Sequence, residues 1–270
     1  MKKILEKIKA LLYSNTKLYF FVMFYYLLNK FRKSLLKGNP FIKITTDSED
    51  IYEEYSNSEQ EEYEKGSKIC LYKNKLVKMS HKAIRHEYLK YIYSEIDELL
   101  KTNEKIKIVE VGCGNCLNII NILAKYPSVT VSGLDISKQR IAIAKSYYTQ
   151  ELKDVFFEVC DIAEGASQIE ENSADLVFSM HCLEQISHDT KPALSEMYKL
   201  TKNKLVLIEP VFELGVPAQK MYLTWSDHNR ILLKTINKLG FIVKRMDKLI
   251  IQENPLNQST RIVIEKGLQN

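Results

Sequence analysis

The sequence predicts an α/β fold: a doubly wound, mostly parallel sheet closed by a C-terminal antiparallel hairpin and preceded by a helical N-terminal extension. Three observations predict it. Strand-like runs end on acids at Val109-Glu110, Leu134-Asp135, Cys160-Asp161 and Ile208-Glu209. Five strand–helix alternations with short turns imply a parallel sheet covered on both faces. The last part, from Phe241 to Ile251 and from Arg261 to Glu265, is strand-like without helical crossovers.

Composition is that of an ordinary globular protein, with 270 residues, 45% hydrophobic and 27% charged, enough to bury a core. The five cysteines (70, 113, 116, 160, 182) are odd in number. This points to a reducing, cytoplasmic compartment rather than a disulfide framework. Cys113-x-x-Cys116 has no second pair downstream, so no metal site is expected.

Residues 1–37 hold nine Lys or Arg and one acid, a net +8 within a total of +5, so the remainder is net −3. A mildly acidic body is not a nucleic-acid surface. In the arm, Ile4, Leu5, Ile8, Leu11 and Leu12 share a helical face, and Leu18 to Leu28 is an unbroken run of eleven apolar or aromatic residues. Eleven helical residues span roughly 16 Å, about half of a bilayer core, too little for a transmembrane helix. Two readings stay open for this basic arm: a lid on the folded domain, or an interfacial helix on an anionic membrane, peripheral on its inner face. Residues 38–101 read as an acidic linker and helical lid. Eight acids and no Lys or Arg fall between Glu49 and Glu64, and a helical pattern runs from Ile84 to Leu100. His81, Arg85 and His86 at its start are within reach of a substrate.

From residue 102 to 270 the motifs appear in order. Lys105 to Val111 alternates, ends on Glu110, and turns through Gly112-Cys-Gly114 into a helix from Leu117 to Lys125. Strand, glycine turn and helix bring a backbone close to a nucleotide-like ligand. The second strand, Val129 to Asp135, ends on an acid 21 residues after Gly114, where a carboxylate can accept both ribose hydroxyls of an adenosine. Ile136 is placed to cover an adenine face, and Ser137 caps the next helix. The third strand, Val155 to Cys160, ends on Asp161-Ile162, with the acid within reach of an adenine amino group. The fourth, Ala174 to Met180, runs into His181-Cys-Leu-Glu-Gln, and a helix follows from Pro192 to Leu200. The fifth, Lys204 to Ile208, ends on Glu209-Pro210. In the tail a helix is expected from about Ser226 to Leu239, stopped by Gly240.

Glu110-Val-Gly-Cys-Gly-Asn resembles the first motif of class I S-adenosylmethionine-dependent methyltransferases. Asp135-Ile136 is similar to their ribose-binding pair, Asp161-Ile162 to the adenine-proximal pair, and Asp175 to Gln185 to their fourth motif. The resemblance covers roughly residues 80 to 270. It implies a Rossmann-like seven-stranded sheet, S-adenosylmethionine as cofactor, and a site made by Glu110, Gly112, Gly114, Asp135, Ile136, Asp161, Ile162 and Met180. Two positions depart from the pattern: Cys116 stands where a third glycine is usual, and Gln185 where a histidine is common. A dinucleotide enzyme fits less well, because Leu117 occupies its third glycine position and Glu110 would repel a pyrophosphate.

A sulfonium methyl is already activated, so the protein has to align an acceptor and exclude water. An oxygen acceptor needs a base. Candidates are His181 first, then His188 and Glu209, with His228 further along; Glu184 reads as a loop-orienting residue. The expected activity is methyl transfer to an oxygen or nitrogen of a small-molecule, glycan or lipid-linked acceptor. The alternative is a partner subunit that keeps the fold and has lost turnover.

Overall fold

The computed structural model describes residues 65–267 apart from 187 and 255. The basic arm, and the acidic tract up to Glu64, lie outside the described residues.

The first described elements are strands that the periodicity reading missed. β1 (Ser67–Tyr72) and β2 (Lys75–Ser80) form an antiparallel hairpin. Its turn residues Lys73 and Asn74 both have positive φ, 49° and 61°, the geometry that matches strand twist in a two-residue hairpin. No glycine marks this turn, which is why it did not stand out.

Ser80 then starts α1 (His81–Leu99), its hydroxyl accepting from the Ala83 N–H at 3.2 Å. Ile84, Tyr88, Leu89, Ile92, Tyr93, Ile96 and Leu99 are buried at three- and four-residue steps, so the helix buries a broad stripe. One acid, Glu95, is buried in that stripe. It accepts from Lys204 at 2.9 Å, Arg245 at 2.8 Å and Arg261 at 3.1 Å. A buried carboxylate among three cations pins α1 in one orientation, and with it the Arg85 and Tyr88 end that faces the site.

The remaining elements follow in order: β3 (Lys107–Val111), α2 (Leu117–Lys125), β4 (Thr130–Asp135), α3 (Lys138–Tyr147), β5 (Phe156–Val159), β6 (Ala174–Met180), α4 (Thr190–Leu200), β7 (Thr201–Pro210), α5 (Pro217–Trp225), α6 (Leu232–Lys238), β8 (Val243–Lys248), β9 (Ile251–Gln252) and β10 (Ser259–Glu265). Seven strands form one sheet in the order β5-β4-β3-β6-β7-β10-β8. β5 to β7 are parallel neighbours, whereas β10 runs antiparallel to both β7 and β8. The order reverses between β3 and β6, the switch point where open α/β sheets hold ligands.

Alternate residues feed two cores. Ile108, Leu176, Phe178, Val206 and Ile208 pack on the face covered by α1 and α2. Val109, Val177, Leu205, Leu207, Ile262 and Ile264 pack on the face covered by α4 and α6.

Three expectations change. No helix connects β5 to β6; residues 160–173 are a loop held by Glu158, which accepts from the Ser167 and Gln168 N–H groups at 2.7 and 3.1 Å. The tail helix begins at Leu232 rather than Ser226, and α5 precedes it, because Asp227 adopts φ 54° and breaks the helical path. The tail hairpin also divides: β9 leaves the main sheet and pairs with β1. Through that pairing and the α1 stripe, residues 67–99 share a core with the sheet. None of the described helices is long and apolar enough to cross a membrane.

Candidate active site

At the switch point the glycine turn leaves β3 in left-handed steps. Gly112 (φ 75°) and Gly114 (φ 49°) occupy a region that costs a side chain energy. A Cβ on Gly112 would also stand 2.4 Å from the Cys182 sulfur, so the turn is pressed against the loop that follows β6. Cys116 has φ 60° and caps α2. The position where a glycine is usual therefore keeps a glycine-like conformation, with a small buried thiol in place of hydrogen.

Two carboxylates bracket this turn. Asp135 accepts from the Gly114 N–H at 2.7 Å and from the Ser137 N–H at 2.8 Å. It thereby ties the turn to the start of α3, and about half of its lone-pair sites remain for a ligand diol. Glu110 is buried, and one oxygen accepts from the Asn118 amide at 2.5 Å. Its other oxygen, Oε2, is buried without a hydrogen-bond partner. Burial is the main reason its pKa is pushed up to about 8, against the Asn118 hydrogen bond and the Arg85 charge. Arg85 in turn donates to Asn118 Oδ1 at 2.9 Å. A chain of contacts thus runs from Arg85 on α1 through Asn118 on α2 to Glu110 on β3.

A cavity of about 1140 Å³ opens over this turn. Gly112, Gly114, Asp135, Ile136, Asp161, Ile162 and Met180 all line it, with Arg140 across from Gly114. Glu110 stands behind Asn118. Asp161 accepts from the Ala163 N–H at 2.9 Å, which fixes its loop. All eight residues expected for the cofactor are therefore gathered at one place in the fold.

The candidate bases separate. Glu209 has no exposed surface. It accepts from the Ser179 hydroxyl at 2.8 Å and from the N–H groups of Cys182, Leu183 and Glu184 at 3.0, 3.1 and 3.2 Å. It is a clamp that shapes the loop after β6, not a base facing an acceptor. Burial, then the Glu184 carboxylate, raises its pKa to about 7.

His181 lines the cavity at φ 57°, with both ring nitrogens held. Nδ1 lies 3.2 Å from Glu184 Oε2 and Nε2 lies 2.9 Å from the Ser259 hydroxyl. Burial alone would lower its pKa, but the Glu184 charge and hydrogen bond outweigh it and raise the value to about 9. With both ring nitrogens engaged by protein groups, neither faces an acceptor with a free lone pair. His188 is exposed at the rim of the same cavity.

Glu184 is the centre of this end. It accepts from Asn257 at 2.7 Å as well as from His181, and its pKa is lowered: burial opposes this, and the charge and hydrogen bond of His181 prevail. Lys68, Asn257 and Glu253 carry no local signal in the sequence, because the β1–β2 hairpin turns without a glycine and the β9–β10 connection is placed by the long-range pairing of β9 with β1. Lys68 and Glu253 are paired across the cavity. Glu253 is held ionised against the effect of burial by Lys68 first, then Arg85 and His181.

Residues 108–204 match the family model described as a methyltransferase domain. A curated relative, O-methyltransferase 3 of Dictyostelium discoideum, is 26% identical over 154 residues, 55% of this chain and 33% of its own length. The chain therefore spans about a third of that relative. Among solved structures, one from Galdieria sulphuraria described as a sarcosine dimethylglycine methyltransferase superposes with a TM-score of 0.56 at 12% identity, covering 70% of this chain and 89% of that one. Magnesium protoporphyrin IX methyltransferase from Synechocystis has a TM-score of 0.55 at 15% identity, with 82% and 100% covered.

Proposed function

We propose, from the methyltransferase-domain match over residues 108–204 and the geometry of the site, that the protein transfers a methyl group from S-adenosylmethionine to an oxygen or nitrogen of a small polar acceptor. One observation carries the reading: the two carboxylates that bracket the glycine turn. Asp135 is oriented for a ribose diol by two backbone N–H groups, and Glu110 keeps a buried oxygen that can accept from the ammonium of a bound ligand. When bound, the cofactor supplies an activated methyl on a sulfonium. The chain holds its two ends, places the acceptor beside Met180 and His181, and excludes water behind α1 and the β1–β2 hairpin.

Arg85 extends this assignment beyond the motifs. Among the described residues its Nη1 donates to Asn118, one link from Glu110. A guanidinium edge beside an unpaired carboxylate matches an amino acid's carboxylate and ammonium together. Calorimetry with the full chain tests both points. S-adenosylhomocysteine should bind the wild type, and its absence of binding at high micromolar concentration would defeat the enzyme reading. Arg85→Met should weaken that ligand about tenfold or more while leaving 5′-methylthioadenosine, which lacks the amino-acid end, within about twofold. Equal losses for both ligands would remove Arg85 from this role.

The acceptor end is polar. Lys68, His81, Arg85, Glu184, His188 and Glu253 outnumber Ile84, Tyr88 and Ile186. This favours a small molecule or a glycan-like headgroup; a lipid-linked acceptor would present its headgroup here and leave its chain outside. The relative's name, an O-methyltransferase, supports oxygen. We place the protein in the cytoplasm, in keeping with five free thiols. For residues 1–37 we propose a peripheral helix on an anionic bilayer. Sedimentation with phosphatidylserine vesicles should be lost on deleting these residues, and equal sedimentation of the truncated chain sinks the idea.

A further inference from the structure

We infer that His228, oriented by Glu184, is the general base that takes the proton of a hydroxyl acceptor; this deepens the methyl-transfer reading and rests on it. The residue lies on the connection between α5 and α6, where Asp227 turns the chain through φ 54°. Its own N–H donates to the Leu223 carbonyl at 2.9 Å. The next residue, Asn229, is buried and staples this connection to the loop after β6. Its N–H donates to the Glu184 carbonyl at 2.7 Å, and its amide to the Thr190 hydroxyl at 2.8 Å and the Leu183 carbonyl at 3.2 Å. His228 is therefore held on rigid backbone at the wall of the acceptor cavity.

Its ring is set up differently from that of His181. Nδ1 is buried without a hydrogen-bond partner and lies 3.9 Å from Glu184 Oε2. Contacts of this kind are often long without ligand and tighten when the substrate is bound. An Nδ1–H pointed at Glu184 leaves Nε2 with a lone pair for the acceptor. The titratable groups around the ring are Glu184 and His181 from the loop after β6, Tyr222 edge-on from α5 at 5.9 Å, and the neighbouring Asp227. His181 already carries a positive charge on the other side of Glu184, so the shared carboxylate stays ionised and available.

In the step, the acceptor oxygen gives a lone pair to the methyl carbon as the carbon–sulfur bond breaks toward sulfur. The oxygen's proton passes to His228 Nε2, and the resulting imidazolium is stabilised by Glu184. A neutral amine acceptor would attack without this help, so a positioned base is needed for a hydroxyl acceptor and not for an amine. His228 is then a catalytic residue and Glu184 a positioning residue.

The test uses the full chain with 15N-labelled histidine, saturated with S-adenosylhomocysteine at pH 7.5, and His228→Gln to assign the resonance. His228 should be neutral and in the Nδ1–H form, and Glu184→Gln should abolish that preference. An Nε2–H or charged His228 with ligand bound overturns the inference while leaving the methyltransferase reading intact; failure of the ligand to bind defeats that reading instead. In a labelled-methyl assay on the small-molecule fraction of a lysate, His228→Gln should lower product about a hundredfold or more with S-adenosylhomocysteine affinity within twofold. Unchanged product also overturns it.

Discussion

Replacing Asp135 with alanine is expected to raise the dissociation constant for S-adenosylhomocysteine by about a hundredfold or more. Two hydrogen bonds from ribose hydroxyls to a carboxylate are worth about 1.5–3 kcal/mol each, and every 1.4 kcal/mol is a factor of ten. The same carboxylate also receives the Gly114 and Ser137 N–H groups. Alanine therefore leaves two backbone donors unsatisfied at the glycine turn and costs roughly 1–3 kcal/mol of stability. Asp135→Asn separates the two effects. The amide oxygen retains one backbone partner, so the melting temperature should fall less than in the alanine variant while affinity still falls at least tenfold. Calorimetry paired with thermal melts reads both. An alanine variant that binds the ligand as tightly as the wild type would show that the diol contact lies elsewhere.

Asp135 was legible in the sequence for a simple reason. The acids at 110, 135 and 161 stand at strand ends whose periodicity is strong, and a parallel sheet brings all strand ends to one edge. The division of alternate residues between the two cores follows from the same strong periodicity. What was not legible depends on long-range placement. Lys73-Asn74 makes a tight turn without glycine, so β1 and β2 carried no punctuation. β9 has two residues and pairs with a strand about 180 positions earlier, which no local pattern reports. The roles of the histidines were hidden for a related reason. His181 and His228 look alike in the chain, and they differ only in what Glu184, Ser259 and Asn229 do to them in space. Glu209 sat at a strand end like the cofactor acids, yet four donors from β6 and its following loop turn it into a clamp.

The second large effect falls on Glu110. Its pKa is raised from 4.5 to about 8, chiefly by burial, so the ligand-free folded protein keeps a proton that the unfolded chain releases above pH 4.5. The sign follows from linkage. This group's contribution to stability is fully present below about 4.5 and is lost as pH rises through about 8. Above that pH the wild type holds an ionised carboxylate with one unpaired buried oxygen. Glu110→Gln removes the charge and keeps an oxygen for Asn118, so at pH 8 to 9 the ligand-free variant should be more stable than the wild type by a few kcal/mol. The cost falls on function. A cationic amino group on the ligand needs the ionised form, so wild-type affinity for S-adenosylhomocysteine should strengthen from pH 6 to pH 8, by up to about tenfold per unit. The glutamine variant should bind weakly and show no such slope. Wild-type affinity that is flat between pH 6 and 8, or a glutamine variant that binds as tightly, would place the ammonium away from Glu110. A gain in stability together with a loss of affinity is the signature of a carboxylate kept for a ligand's charge, because a residue kept for the fold alone would lose both.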